Sequence, residues 1–66
     1  MNYEGLNKLI DDSGLKRSYI AANIGMSPQQ FTRRTRGNVS WSSEEIRAFS
    51  TFFRLTKSQR DAIFLP

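Results

Sequence analysis

The sequence predicts an all-α domain of five short helices, and three observations carry that reading. Helix-start grammar occurs three times: "SPQQ" at 27–30, "SSEE" at 42–45 and "TKSQ" at 56–59 each set a hydroxyl residue three places before a Glu or Gln. Apolar residues recur at helical spacing between glycine stops, as Leu6, Leu9 and Ile10 do ahead of Gly14. Strand signals fail, because period-2 alternation is nowhere sustained and no Asn-Gly or Asp-Gly hairpin turn occurs.

The first helix is expected over about Tyr3 to Ser13, with Tyr3, Leu6, Leu9 and Ile10 on one face and Gly14 as its left-handed stop. The second runs from about Arg17 to Ile24 and presents Ile20, Ile24 and the small Ala21 before Gly25 ends it. Lys16 is a poor N-cap there, although Leu15 and Ile20 can staple the entry. The third helix opens on Ser27, a good N-cap, with Pro28 at N1, where its missing N–H would be unpaired anyway. Gln30 closes a capping box, Met26 and Phe31 form a hydrophobic staple, and Gly37 ends the helix. In the fourth, Ser42 caps, Glu45 closes the box, Trp41 and Ile46 staple, and Phe49 and Phe53 carry the apolar stripe to about Arg54. Thr56 with Gln59 opens a last helix carrying Ala62, Ile63 and Phe64.

At 66 residues the chain reads as one domain, 1–66, near the lower size limit for unaided folding. It has no cysteine and no histidine, so a disulfide or a thiolate or imidazole metal site cannot support it; helix packing or self-association must. No run is apolar enough to span a bilayer and no signal peptide opens the chain, so the expectation is a soluble, cytoplasmic protein. Net charge is +4, with an uneven distribution. Lys16, Arg17, Arg33, Arg34 and Arg36 fall between Ser13 and Ser43 with no acid among them, while all six acids lie outside that stretch. A basic centre of this kind suits a polyanion.

Only Gly25, Met26 and Ser27 separate the second and third helices, so these must cross steeply, as in a helix-turn-helix over about 17–36. The stretch "GLKRSYIAANIGMSPQQFTRRTRGNVSWSSEEI", residues 14–46, resembles the lambda-repressor-like helix-turn-helix family of the Cro, cI and XRE type. Gly14, Leu15, Ile20, Ala21, Ile24, Gly25, Met26 and Ser27 fall on that family's pattern, with Phe31 at the buried position of its recognition helix and Gly37 at its helix-ending glycine. Lys16 and Arg17 stand where Thr and Gln are usual. Arg34 occupies an expected buried aliphatic position, and Thr35 replaces a usual acid, which takes a negative charge off the recognition helix.

Gln29, Thr32, Arg33 and Arg36 lie at i, i+3, i+4 and i+7, hence on one face, with Phe31 turned away. In a major groove, glutamine pairs bidentately with adenine and arginine with guanine. The resemblance implies base contacts from Gln29, Gln30, Thr32 and Arg33, although the capping box competes for Gln30. Phosphate contacts are expected from Lys16, Arg17, Ser18, Ser27, Arg36, Asn38 and Ser40, at helix starts and in the loop after Gly37. Asp11 with Asp12 and Glu44 with Glu45 pair carboxylates at helix ends without a nucleophile or histidine, so no catalytic, cofactor or metal residue is assigned and no enzyme is expected. Phe52, Phe64 and Leu65 are read as a patch for a second copy, because binding two half-sites about 34 Å apart adds affinity.

The expectation that follows from the resemblance is a Cro-like phage or prophage repressor that occupies double-stranded operator DNA in a bacterial cell. The chain is too short for an added sensing domain, which favours the Cro type. The alternative is the same fold used on another protein, as an antirepressor or antitoxin acting on a second phage regulator.

Overall fold

A computed structural model describes residues 1–66, and it is all-helical. Helices α1 (Tyr3–Asp12), α2 (Arg17–Asn23), α3 (Pro28–Thr35), α4 (Ser43–Phe52) and α5 (Lys57–Phe64) follow one another through short turns. All three expected capping boxes form. Ser27 Oγ accepts from Gln30 N at 3.2 Å while Gln30 Oε1 accepts from Ser27 N at 2.9 Å. Ser42 with Glu45 and Thr56 with Gln59 repeat the exchange at 2.8 to 3.2 Å. Each box satisfies two N–H groups that the helix cannot pair internally. Asn2 caps α1 by accepting from Gly5 N, and its own N–H donates to Ile63 O at 2.7 Å, which ties the chain start to α5.

The α2–α3 turn is closed by backbone bonds alone. Gly25 takes φ 78, a left-handed conformation that glycine adopts without penalty, so that Gly25 N can donate to Ala22 O and Met26 N to Ala21 O at 2.9 Å. The same pair of hydrogen bonds ends α3 at Gly37, where φ is 82. There a Cβ would lie 3.1 Å from the Tyr3 ring, so α1 packs directly on the glycine. Helix α4 stops at Phe52, short of the expected Arg54, because Arg54 itself takes φ 54 and the ending bonds run from Arg54 N to Thr51 O and Leu55 N to Ser50 O.

All five helices and the α2–α3 turn contribute to one core: Leu6, Ile10, Ile20, Ala21, Ile24, Met26, Phe31, Phe49 and Phe64. Fully burying each of the largest, Phe31 and Phe49, stabilises the fold by about 1.5 to 3 kcal/mol. Met26 and Phe31 are both buried, so their staple forms, whereas Leu15 stays exposed and α2 gains little from its own. Half-buried Trp41 lies edge-on to Phe31, Phe49 and Phe64 at ring distances of 6.3, 5.4 and 5.2 Å. It thereby joins α3 to both later helices. None of the helices is long and apolar enough to cross a membrane.

Candidate nucleic-acid interface

Helix α3 divides into two faces. Phe31 and Thr35 are buried, and Gln29, Arg33 and Arg36 are exposed, with Thr32 half-buried beside them. The side chains of these last four make no hydrogen bond or ion pair within the protein. The backbone of α3 is held from three sides. Trp41 Nε1 donates to Arg34 O at 3.1 Å, Asn7 Nδ2 donates to Thr35 O at 3.0 Å, and Asn38 N donates to Arg33 O at 2.9 Å. These bonds satisfy carbonyls in the last turn, where a helix has no internal donor left. A helix with a free polar face and a fixed back is geometrically suited to enter a groove.

One expectation for α3 is corrected. Thr35 points inward; its Oγ1 donates to Thr32 O at 3.1 Å, which satisfies a hydroxyl that would otherwise be buried without a partner. It fills the inner position one turn beyond Phe31 that had been allotted to Arg34. Arg34 instead leans toward α4, where its Nε lies 2.9 Å from Glu45 Oε2. The N–H is angled off that oxygen, so the contact is a close ion pair rather than a straight hydrogen bond. Arg34 Nη1 also reaches Gln30 O at 3.3 Å. Of the three arginines of this segment, only Arg33 and Arg36 are therefore free to meet an anion.

Glu45 completes this anchor. Burial works to raise its pKa, but the Ser42 backbone N–H, the Arg34 guanidinium and the Ser42 hydroxyl together outweigh that effect, and the carboxyl is held below its ordinary value. One side chain thus caps α4 and neutralises Arg34.

The expected phosphate residues occupy different situations. Lys16 and Ser18 are exposed and unpaired at the start of α2, and no side chain caps that helix. Arg17 is already engaged: Nη1 donates to Asn7 Oδ1 and Nη2 to Asp11 Oδ1, both at 2.9 Å. A phosphate at Arg17 would have to share or displace Asp11. Ser27 accepts within its capping box and keeps its hydroxyl proton to donate. Asn38 and Ser40 are exposed after Gly37, with side chains that bond to nothing in the protein. Gln30 gives its oxygen to Ser27 N, so only its Nε2 is left to offer, and a bidentate adenine contact would require the box to open.

Asn7 is the residue the sequence did not single out. It bridges Tyr3 O, Thr35 O and the Arg17 guanidinium, and so links α1, the start of α2 and the end of α3. No local pattern marks it, because one of its partners is 28 residues away.

The expected self-association patch is also corrected. Phe64 is 7% exposed and packs against Trp41 and Phe49, so a second subunit cannot use it. Phe52 is half-buried and lies edge-on to Tyr19 of α2 at 6.2 Å. Leu65 remains, at 71% exposed. No cluster of acidic side chains in the fold is arranged to hold a metal ion. Comparison of the chain with protein-family models, with curated proteins and with solved structures returned no match.

Proposed function

We propose that this protein is a sequence-specific regulator that binds double-stranded DNA, a Cro-like repressor whose α3 enters the major groove of an operator. The observation that supports this most is the composition of the free face of α3. Gln29 and Arg33 are exposed and unpaired on a helix whose backbone is held by Trp41, Asn7 and Asn38. A glutamine and an arginine one turn apart are the side chains that read adenine and guanine edges, each good pair being worth about 1 to 3 kcal/mol of discrimination. Arg36, Lys16, Ser18, Asn38, Ser40 and the Ser27 hydroxyl surround that face as phosphate contacts, and Arg17 adds one when it shares its charge with Asp11. Repression is by occupancy: the domain covers DNA that a polymerase needs, in the cytoplasm of a bacterial cell. Two copies take the two half-sites of the operator.

An arginine left in a core position, or Phe52 and Phe64 left exposed, would favour the antirepressor alternative. Arg34 is paired with Glu45 and Phe64 lies in the core, so neither feature favours it. Selection of bound sites from a random duplex library, followed by anisotropy titrations over a salt series, tests the proposal. A recovered consensus, with log affinity falling against log salt by about 0.9 per phosphate neutralised, is the expected result. Weak binding without sequence preference would overturn it.

A further inference from the structure

A second cationic site lies away from α3. Arg47 and Arg54 of α4 and its C-terminal turn, with Arg60 of α5, line one open groove of about 400 Å³ together with Ser50, Thr51 and Leu55. Arg60 is paired with Asp61, at 3.3 Å. Arg47 and Arg54 have no acidic partner and no hydrogen bond, so the groove holds about two uncompensated positive charges.

Two further observations mark the groove. Ser50 is only 9% exposed, and its Oγ has no hydrogen-bond partner, an uncommon state for a buried hydroxyl. Arg54 is the one residue other than glycine with positive φ; Gly14, Gly25 and Gly37 take the same conformation at the ends of α1, α2 and α3. A side chain there is disfavoured by about 1 to 2 kcal/mol relative to glycine. The fold thus keeps an arginine at a strained helix end, and that arginine lines the groove.

We propose that this groove binds a phosphate monoester dianion. Two free guanidiniums match two negative charges, and their planar N–H forks fit phosphoryl oxygens. A carboxylate or a phosphodiester carries one charge and would leave one arginine uncompensated. None of the lining residues belongs to α2 or α3, so the site is separate from the proposed DNA face and does not depend on it.

The test is a titration with inorganic phosphate at constant ionic strength, balanced with chloride, following the amide resonances of Ser50, Thr51 and Leu55. Saturable shifts are expected, and acetate should not reproduce them. Arg54→Gly is the decisive variant because glycine suits the backbone there, so the fold gains stability while phosphate binding weakens about tenfold for the lost charged contact. Ser50→Ala removes a hydroxyl buried beneath the groove, out of reach of a ligand, and should leave both phosphate binding and the fold intact. A nucleoside monophosphate that binds more tightly than phosphate identifies a base-bearing ligand, whereas equal affinity identifies the free oxyanion; both uphold the site. Unchanged phosphate affinity in Arg54→Gly, or shifts equally produced by acetate, would overturn it. So would a loss of DNA affinity in Arg54→Gly with a shallower salt slope, since the groove would then be part of the DNA face.

Discussion

Arg33, Arg34 and Arg36 are near neighbours in sequence, yet the fold predicts that their removal has different consequences, most sharply for Arg34. The Arg34 and Glu45 side chains are 17% and 21% exposed and 2.9 Å apart. Breaking a fully buried pair destabilises by about 3 to 5 kcal/mol, and an exposed pair contributes about 0 to 1. In Arg34→Ala, Glu45 keeps the Ser42 N–H as a partner and its place in the first turn of α4, so the carboxylate is not abandoned. A loss of about 2 kcal/mol follows, equivalent to about 8 to 16 °C in Tm for a domain of this size. Thermal unfolding followed by circular dichroism measures it, and a double-mutant cycle with Glu45→Gln isolates the pair. On DNA, at a temperature where the variant is folded, Arg34→Ala should leave the salt slope unchanged, because this arginine is already neutralised within the protein. Arg36→Ala should lower the slope by about 0.9 with no loss of stability. An Arg34→Ala protein with unchanged Tm and a shallower salt slope would refute the assignment of Arg34 as an internal anchor.

Other outcomes follow from the same geometry. Glu45 titrates below its ordinary value of 4.5 in the fold, so its contribution is fully present above that pH and is lost as pH falls through the lower folded value. Urea unfolding below pH 4.5 should therefore show a flatter dependence on pH in Glu45→Gln, which keeps the capping box but cannot ionise. Asp11→Asn removes the acidic partner of Arg17, and anisotropy titrations should show tighter binding to all duplexes by a similar, few-fold factor. Phe64→Ala should cost about 3 to 5 kcal/mol by opening a cavity in the core, whereas Leu65→Ser should leave Tm in place. If Leu65 joins two copies, sedimentation of Leu65→Ser shifts toward monomer; an unaltered protein that is already monomeric at high concentration removes that role.

The five helices were legible because their determinants are local. A capping box joins residues three apart, a staple residues five apart, and a glycine stop needs only one position with positive φ, so each can be read from a short window. The free face of α3 was legible for the same reason, since one buried residue, Phe31, orients the helix and the 3.6-residue period places Gln29, Thr32, Arg33 and Arg36. Tertiary structure decided which charges remain available. Arg17 is drawn to Asn7 and Asp11, and Arg34 to Glu45, because the tertiary fold brings groups of different helices within reach of one another. Phe64 entered the core because Trp41, distant in sequence, supplied a surface that receives it. Sequence alone determined where the helices start, where they stop and which side of α3 is polar, all within the reach of a few bonds; the pairing of charges and the closure of the core depend on which faces meet, and no short window contains that.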